Sequence, residues 1–181
     1  MCIVLYLTFQ TIHLHAADLG GVFFSDSHQK GNVTLLLRGT GLLKYLLFVN
    51  AYAAALYLPK AVPSTEALDD VPKRLEIQYF HPIKAKDFAK STNRFIADNQ
   101  DTENLSSLQP KIDRINALYE DIKPGDRYAL TYIPGIGTEL SLNGEAKGII
   151  SGRDFARAMF SIWLGEKPID LGLKRQLLGK P

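Results

Sequence analysis

Polar and apolar positions alternate most clearly toward the C-terminal end of the chain. Between Arg127 and Ile133, Tyr128, Leu130 and Tyr132 fall on one face, which predicts a half-buried strand. Pro134-Gly135-Ile136-Gly137 supplies turn chemistry, and Thr138–Leu142 resumes the alternation. Asn143-Gly144 comes next, the dipeptide best suited to the two positive φ angles of a type I′ hairpin turn. The period then changes: Phe155, Met159, Ile162 and Trp163 recur at helical spacing, with Arg153, Arg157 and Ser161 off that stripe. Ser151 is placed to cap this helix, and Asp154, three residues on, stands in a capping-box position. Burying side chains this large stabilises by roughly 1.5–3 kcal/mol each, so the helix is expected to lie against a sheet.

Earlier in the chain, Gly21–Phe24 and Val33–Leu37 read as short strands, with the polar stretch from Ser25 to Asn32 as a loop between them and Gly39-Thr40-Gly41 as a break. Leu42–Leu58 is nearly uncharged; Lys44 and Asn50 interrupt it and Pro59 ends it. Its length sits at the lower limit for a membrane span, and a long central strand covered on both faces is the better reading. A helix is the alternative, because periodicity does not discriminate within a buried run. Ala61–Pro72 is a connection, Lys73–Phe80 a strand stopped by His81-Pro82, and Lys84–Ala97 a helix. A polar linker, Asp98–Ser107, leads to a second helix carrying Ile112, Ile115, Leu118, Tyr119 and Ile122 and ended by Lys123-Pro124-Gly125. Pro168–Gly179 reads as a short helix capped by Asp170 and stopped by Gly179. No repeat or interdomain linker is visible. The sum is one α+β domain: a large, mostly antiparallel sheet with helices on one side.

Composition narrows the function classes. The 21 basic and 19 acidic residues are dispersed and nearly cancel, so there is no basic footprint for nucleic acid. Cys2 is the only cysteine, which rules out an intrachain disulfide. Residues 1–17 contain an apolar run from Cys2 to Phe9, no Lys, Arg, Asp or Glu, and a small-residue end at Ala16-Ala17. That pattern is expected of an export signal too short to span a bilayer, leaving 18–181 as the domain and a periplasmic or otherwise exported location. It lacks a basic start, and His15 stands where a small residue is wanted; a buried first strand or helix is the alternative.

Few residues offer chemistry. His28 and His81 have no metal-ligand spacing around them, and neither a metal nor another cofactor is expected. Ser151 lacks a nucleophile elbow, and Gly135-Ile136-Gly137-Thr138 joins two strands with no Lys-Ser/Thr after it, unlike a phosphate loop. What remains is a set of polar groups inside the apolar run: Lys44, Tyr45, Asn50, Tyr52 and Tyr57. A buried polar group left unpaired costs several kcal/mol, so each needs a partner or a cavity. An apolar pocket with a few polar groups is the general form of a small-ligand site. The alternative is that the tyrosines pack with their hydroxyls at the rim.

These segments carry a resemblance. Leu37-Arg38-Gly39-Thr40-Gly41-Leu42-Leu43, Ala51–Pro59, Pro124–Tyr128, Pro134–Thr138, Asn143-Gly144, Phe155, Ile162–Gly165 and Leu177-Leu178-Gly179, in that order and spacing, resemble the chalcone isomerase-like family, specifically its bacterial, exported branch. The resemblance implies an open-faced β-sandwich, a large antiparallel sheet wrapped by helices with a ligand cleft between them. The plant isomerases of that superfamily hold the substrate oxyanion with an arginine after the Gly-x-Gly turn and use a threonine in the next strand and a tyrosine at the start of the first helix. Here those positions fall on Leu43, with Lys44 adjacent, on Tyr52 and on Phe88, so all three depart. Losing one oxyanion donor typically raises the barrier by roughly 2.7–4 kcal/mol, so the set argues against isomerase activity. A second branch binds fatty acids through an arginine. By that analogy Arg38, Lys44 or Arg94 would pair with an acid headgroup, and Tyr52, Phe88 and Phe95 would line the tail cavity.

The expectation is a non-catalytic exported domain binding a small apolar or fatty-acid-like ligand. Two alternatives stand beside it: an intramolecular lyase of the chalcone isomerase type with altered residues, Lys44 and Tyr52 foremost, and an envelope scaffold for protein partners.

Overall fold

The computed structural model describes residues 17–45 and 49–180. Nine strands and four α-helices follow one another as β1 (Ala17–Leu19), β2 (Val22–Phe24), β3 (Ser27–Lys30), β4 (Val33–Tyr45), β5 (Val49–Leu58), β6 (Lys73–Tyr79), α1 (Ala85–Asp98), α2 (Thr102–Asn116), β7 (Arg127–Ile133), β8 (Gly137–Leu142), β9 (Glu145–Ile150), α3 (Arg153–Leu164) and α4 (Leu171–Leu177). Strands β3 to β9 form one antiparallel sheet in sequence order, and β1–β2 is a separate hairpin. The expected leader lies outside the described residues except for Ala17, the first residue of β1.

β5 divides the molecule. Tyr52, Ala54, Leu56 and Leu58 point into the core beneath the helices, whereas Ala53, Ala55 and Tyr57 point into a second core with Val22 and Phe24 of the β1–β2 hairpin. Both faces are covered, which is why this segment reads as an unbroken apolar run. The full run Leu42–Leu58 is not one strand, however. Its first residues end β4 and its last ten form β5, antiparallel neighbours joined through residues 46–48, outside the described residues. An apolar hairpin with no polar turn signal cannot be told from one long strand by pattern.

Gly39-Thr40-Gly41 does not break a strand either; it lies within β4, beside a register irregularity between Leu37 and Gly39. The glycines are there for α4, which packs across them: a Cβ at Gly39 would lie 2.1 Å from the Gln176 carbonyl oxygen, and one at Gly41 would lie 2.7 Å from Leu173 Cδ1. Asp170 caps α4 by accepting from the Leu173 N–H at 2.6 Å, and Gly179 ends it with φ +68°.

Other expectations shift for local reasons. Ser27–Lys30, expected as loop, is the polar edge strand β3, whose Lys30 meets Glu139 of β8 at 2.7 Å. Five strand intervals would separate them by about 24 Å in a flat sheet, so the sheet must curl strongly. Most of the expected linker Asp98–Ser107 is helical, because Asp101 accepts from the Asn104 N–H at 2.8 Å and starts α2 early. That helix stops at Asn116, and Ile122 instead bridges to Ile83. Asn143 and Gly144 do take positive φ, 52° and 86°. Ser151 is not the cap of α3: Gly152 holds that position at φ +105°, where a Cβ would meet Asp154 Oδ1 at 2.3 Å. Ser161, placed off the apolar stripe, is buried and donates to the Ala158 carbonyl, because α3 is covered on nearly every side.

On β6 the two faces differ in chemistry. Arg74, Glu76 and Gln78 point away from the helices and form an ion network with Arg127 of β7: Arg74 Nε donates to Glu76 at 2.9 Å, and Arg127 donates to Glu76 at 3.0 Å and to Gln78 at 2.7 Å. The hairpin closes over it, the Phe23 carbonyl accepting from Arg127 and the Phe24 ring lying 4.9 Å from the guanidinium. On the helix side, Lys73 is buried between Tyr132 and Phe160, its Nζ donating to the Asp69 carbonyl at 2.6 Å. Burial lowers its pKa to about 8.

Two stability measurements follow from these contacts. Gly39→Ala should destabilise by roughly 1–3 kcal/mol in urea titration, since it drives a methyl group into the backbone of α4. Lys73 releases its proton near pH 8 when folded but only near 10.5 when unfolded, so the wild type gains stability from this group as pH rises between those values. Lys73→Met has no such proton, and its stability relative to the wild type should therefore fall by on the order of 2 kcal/mol from pH 7 to pH 10.

Candidate functional site

Between the sheet and the helices lies a cavity of about 230 Å³. Its floor is the inward face of the sheet, with Tyr52, Ile77, Tyr79 and Tyr128 at alternate positions; its roof is α1 and α3, with Phe88, Phe95 and Trp163. The aromatic rings brace one another. Tyr79 meets Tyr52 edge-on at 5.5 Å and Phe88 at 5.3 Å, and Phe88 stacks on Tyr119 at 5.3 Å. Such pairs contribute roughly 0.5–1.5 kcal/mol each beyond area burial, so the walls are held in place without a ligand.

The tyrosine hydroxyls are not equally committed. Tyr128 accepts from the Glu120 N–H at 2.7 Å and donates to the Glu120 carbonyl at 3.3 Å. Tyr119 and Thr92 share a hydrogen bond of 2.9 Å. Tyr52 accepts from Trp163 Nε1 at 3.0 Å, which leaves its own proton unused. Tyr79 makes no hydrogen bond through its hydroxyl among the described residues, although its ring is buried. Burial pushes the phenols of Tyr52, Tyr79 and Tyr119 well above their ordinary value, so all three stay protonated.

The seven candidates named from sequence separate cleanly. Leu43, Tyr52, Phe88 and Phe95 all line the cavity. Arg38, Lys44 and Arg94 do not. Arg38 donates to the carbonyls of Pro59, Lys60 and Val62 and pins the loop after β5. Lys44 follows a register irregularity between Leu43 and Lys44 and is exposed. Arg94 has a largely exposed side chain, with Asp98 at 3.9 Å and the Phe95 ring at 5.3 Å. Of the other polar groups in the apolar run, Tyr57 is buried in the core on the opposite face of the sheet. Sequence reading missed Tyr79, Tyr119, Tyr128 and Trp163 as lining residues. Two of them had a signal: Tyr79 and Tyr128 occupy the same inward alternation as Leu75 and Leu130.

Among the described residues that line the cavity there is no Lys or Arg, and Asp87 is the one charged side chain. No group of three or more His, Cys, Asp or Glu among the described residues is arranged to hold a metal. No helix among them is long and apolar enough to cross a membrane.

Comparison with known proteins gives three findings. A family model described as chalcone isomerase-like matches residues 16–179. The solved structure of a fatty-acid binding protein from Arabidopsis thaliana superposes with a TM-score of 0.71 at 15% sequence identity, over 91% of this chain and 96% of that one. At that identity the likeness is one of fold. No curated protein sequence matches the chain.

The unequal commitment of the hydroxyls is measurable. Tyr52→Phe leaves the buried Trp163 N–H without an acceptor and should destabilise by about 1–3 kcal/mol, whereas Tyr79→Phe breaks no protein hydrogen bond and should stay within about 0.5 kcal/mol of the wild type. Urea denaturation of the two variants side by side checks the difference.

Proposed function

Because the chain belongs to the chalcone isomerase-like family, we propose that it is a non-catalytic protein that binds a small apolar ligand in the cavity between sheet and helices. The observation that carries this reading is the character of the walls: rigid aromatic and aliphatic side chains with hydroxyls as the polar groups inside. The positions that the resemblance assigns to the isomerases' arginine, threonine and tyrosine are Leu43, Tyr52 and Phe88, and all three border the cavity. A leucine and a phenylalanine supply neither an oxyanion donor nor a proton. Without a cationic donor a bound chalcone would meet apolar walls and neutral phenols, which stabilise the charge that ring closure develops less than a guanidinium does.

The cavity volume lies below the roughly 300–1,000 Å³ of sites for drug-sized ligands, which favours a compact occupant. The fatty-acid binding of the Arabidopsis thaliana protein, on the same fold, is consistent with an apolar cargo here. We propose further that the protein belongs to the exported branch of its family. The uncharged apolar start from Cys2 to Phe9 and the Ala16-Ala17 end support that reading, and N-terminal sequencing of the mature chain from the cell envelope tests it.

Binding is expected to show in three measurements on the same preparation. Organic extraction of the purified protein should release an apolar compound. Adding that compound back at a hundred times its Kd should stabilise the fold by about 2.7 kcal/mol. Ala51→Phe, which fills the cavity from β5, should weaken binding at least tenfold while the chain remains folded. Chalcone cyclisation by the wild type above the uncatalysed rate would instead establish the isomerase reading.

A further inference from the structure

The polar groups of the cavity say which kind of apolar ligand it takes. A fatty acid brings a carboxylate, and an anion in an apolar site needs a cation or several N–H donors around it. No cation lines this cavity among the described residues, and the residues outside that set, 1–16, 46–48 and 181, contain neither Lys nor Arg. The cations singled out from sequence are occupied or turned outward, Arg38 on three carbonyls, Arg94 near Asp98 and Lys44 in solvent; of the others adjacent to lining residues, Lys84, Lys86 and Lys90 are exposed and Arg74 and Arg127 are paired with Glu76 behind the floor. Asp87, exposed where α1 borders the cavity, adds a charge of the wrong sign for an acid. The burial that keeps Tyr52 and Tyr79 from ionising would act equally against a bound carboxylate.

What the cavity does offer is O–H donors: beside Ser91 on the exposed side of α1 and the Thr92–Tyr119 pair, it has two buried phenols with free protons, Tyr52 and Tyr79. Tyr52 has spent its acceptor capacity on Trp163 but not its proton, and Tyr79 has spent neither. Their rings stand edge-to-face with centroids 5.5 Å apart on neighbouring strands β5 and β6, where Tyr52 and Tyr79 are direct register partners. One oxygen acceptor placed between two such phenols satisfies both.

Resting on the binding function proposed above, we propose that the cavity selects an uncharged apolar ligand carrying a carbonyl or hydroxyl oxygen, held by the Tyr52 and Tyr79 hydroxyls, and discriminates against carboxylates. The walls supply the affinity, and the tyrosine pair supplies the choice of functional group.

The test is displacement of the neutral fluorophore N-phenyl-1-naphthylamine from the full chain at pH 7.5 by four ligands of matched length: decane, decanol, 2-decanone and decanoate. Decanol and 2-decanone should displace the probe at concentrations at least about tenfold lower than decanoate, a hydrogen bond's worth of discrimination or more. Tyr79→Phe, which breaks no protein hydrogen bond, should weaken 2-decanone about five- to tenfold and leave decane within about twofold. Decanoate binding as tightly as decanol overturns the proposal, and loss of that binding in Lys44→Ala or Arg94→Ala would place the headgroup at the mouth. Decane matching 2-decanone in the wild type also overturns it, since the tyrosine pair would then be idle. Failure of the fluorophore and all four ligands to bind rejects the binding function itself, a result distinct from either of the others.

Discussion

Everything in this molecule is arranged around a strand that must be buried on both faces. β5 alternates between two cores: Tyr52, Ala54, Leu56 and Leu58 beneath the helices, and Ala53, Ala55 and Tyr57 beneath the β1–β2 hairpin. A slip of one residue would exchange the two sets and send Tyr52 away from Trp163. The strand's register therefore decides both layers at once, and the cavity exists where the inward set meets α1 and α3.

The same period of two separates charge from cavity. On β6, Arg74 and Glu76 face the hairpin side and satisfy each other with Arg127, while Leu75, Ile77 and Tyr79 face the cavity. Guanidinium groups are thus plentiful in the sheet but stand behind the cavity floor. A buried ion network of this kind is paired internally and presents none of its charged groups to the cavity on the far side. The cavity keeps polar groups of another sort, phenols raised beyond ionisation by the surrounding apolar walls.

Closure of the sheet depends on small residues at close approaches. Gly39 and Gly41 admit α4 against β4, and β4 bends beside Gly39 through a register irregularity. With the curl that brings Lys30 to Glu139, these contacts give the chain a two-layer body in which the C-terminal helix returns to an early strand. Neighbouring strands follow one another along the chain, although α1 and α2 intervene between β6 and β7, whereas α4 returns to β4 from the other end of the chain.

Patterns along the chain were enough to assign the α+β class, the hairpin at Asn143-Gly144, the apolar stripe of α3 and the cap of α4 by Asp170, because each depends on neighbours within a few residues. The family resemblance, not the pattern, led to Leu43, Phe88 and Phe95; Tyr52 stood out as well as a polar group inside the apolar run. The patterns did not separate β4 from β5 or find the polar strand β3, and they pointed to Ser151 where Gly152 is the cap of α3. Nor could they tell which way a long cation points: Arg38, Lys44 and Arg94 stand within a residue or a strand of the cavity, yet carbonyls, solvent and Asp98 hold them instead. Local periodicity determined which residues could face inward. Only the packing of α1 and α3 over a curled sheet decided which of them enclose space, and with which hydroxyls free.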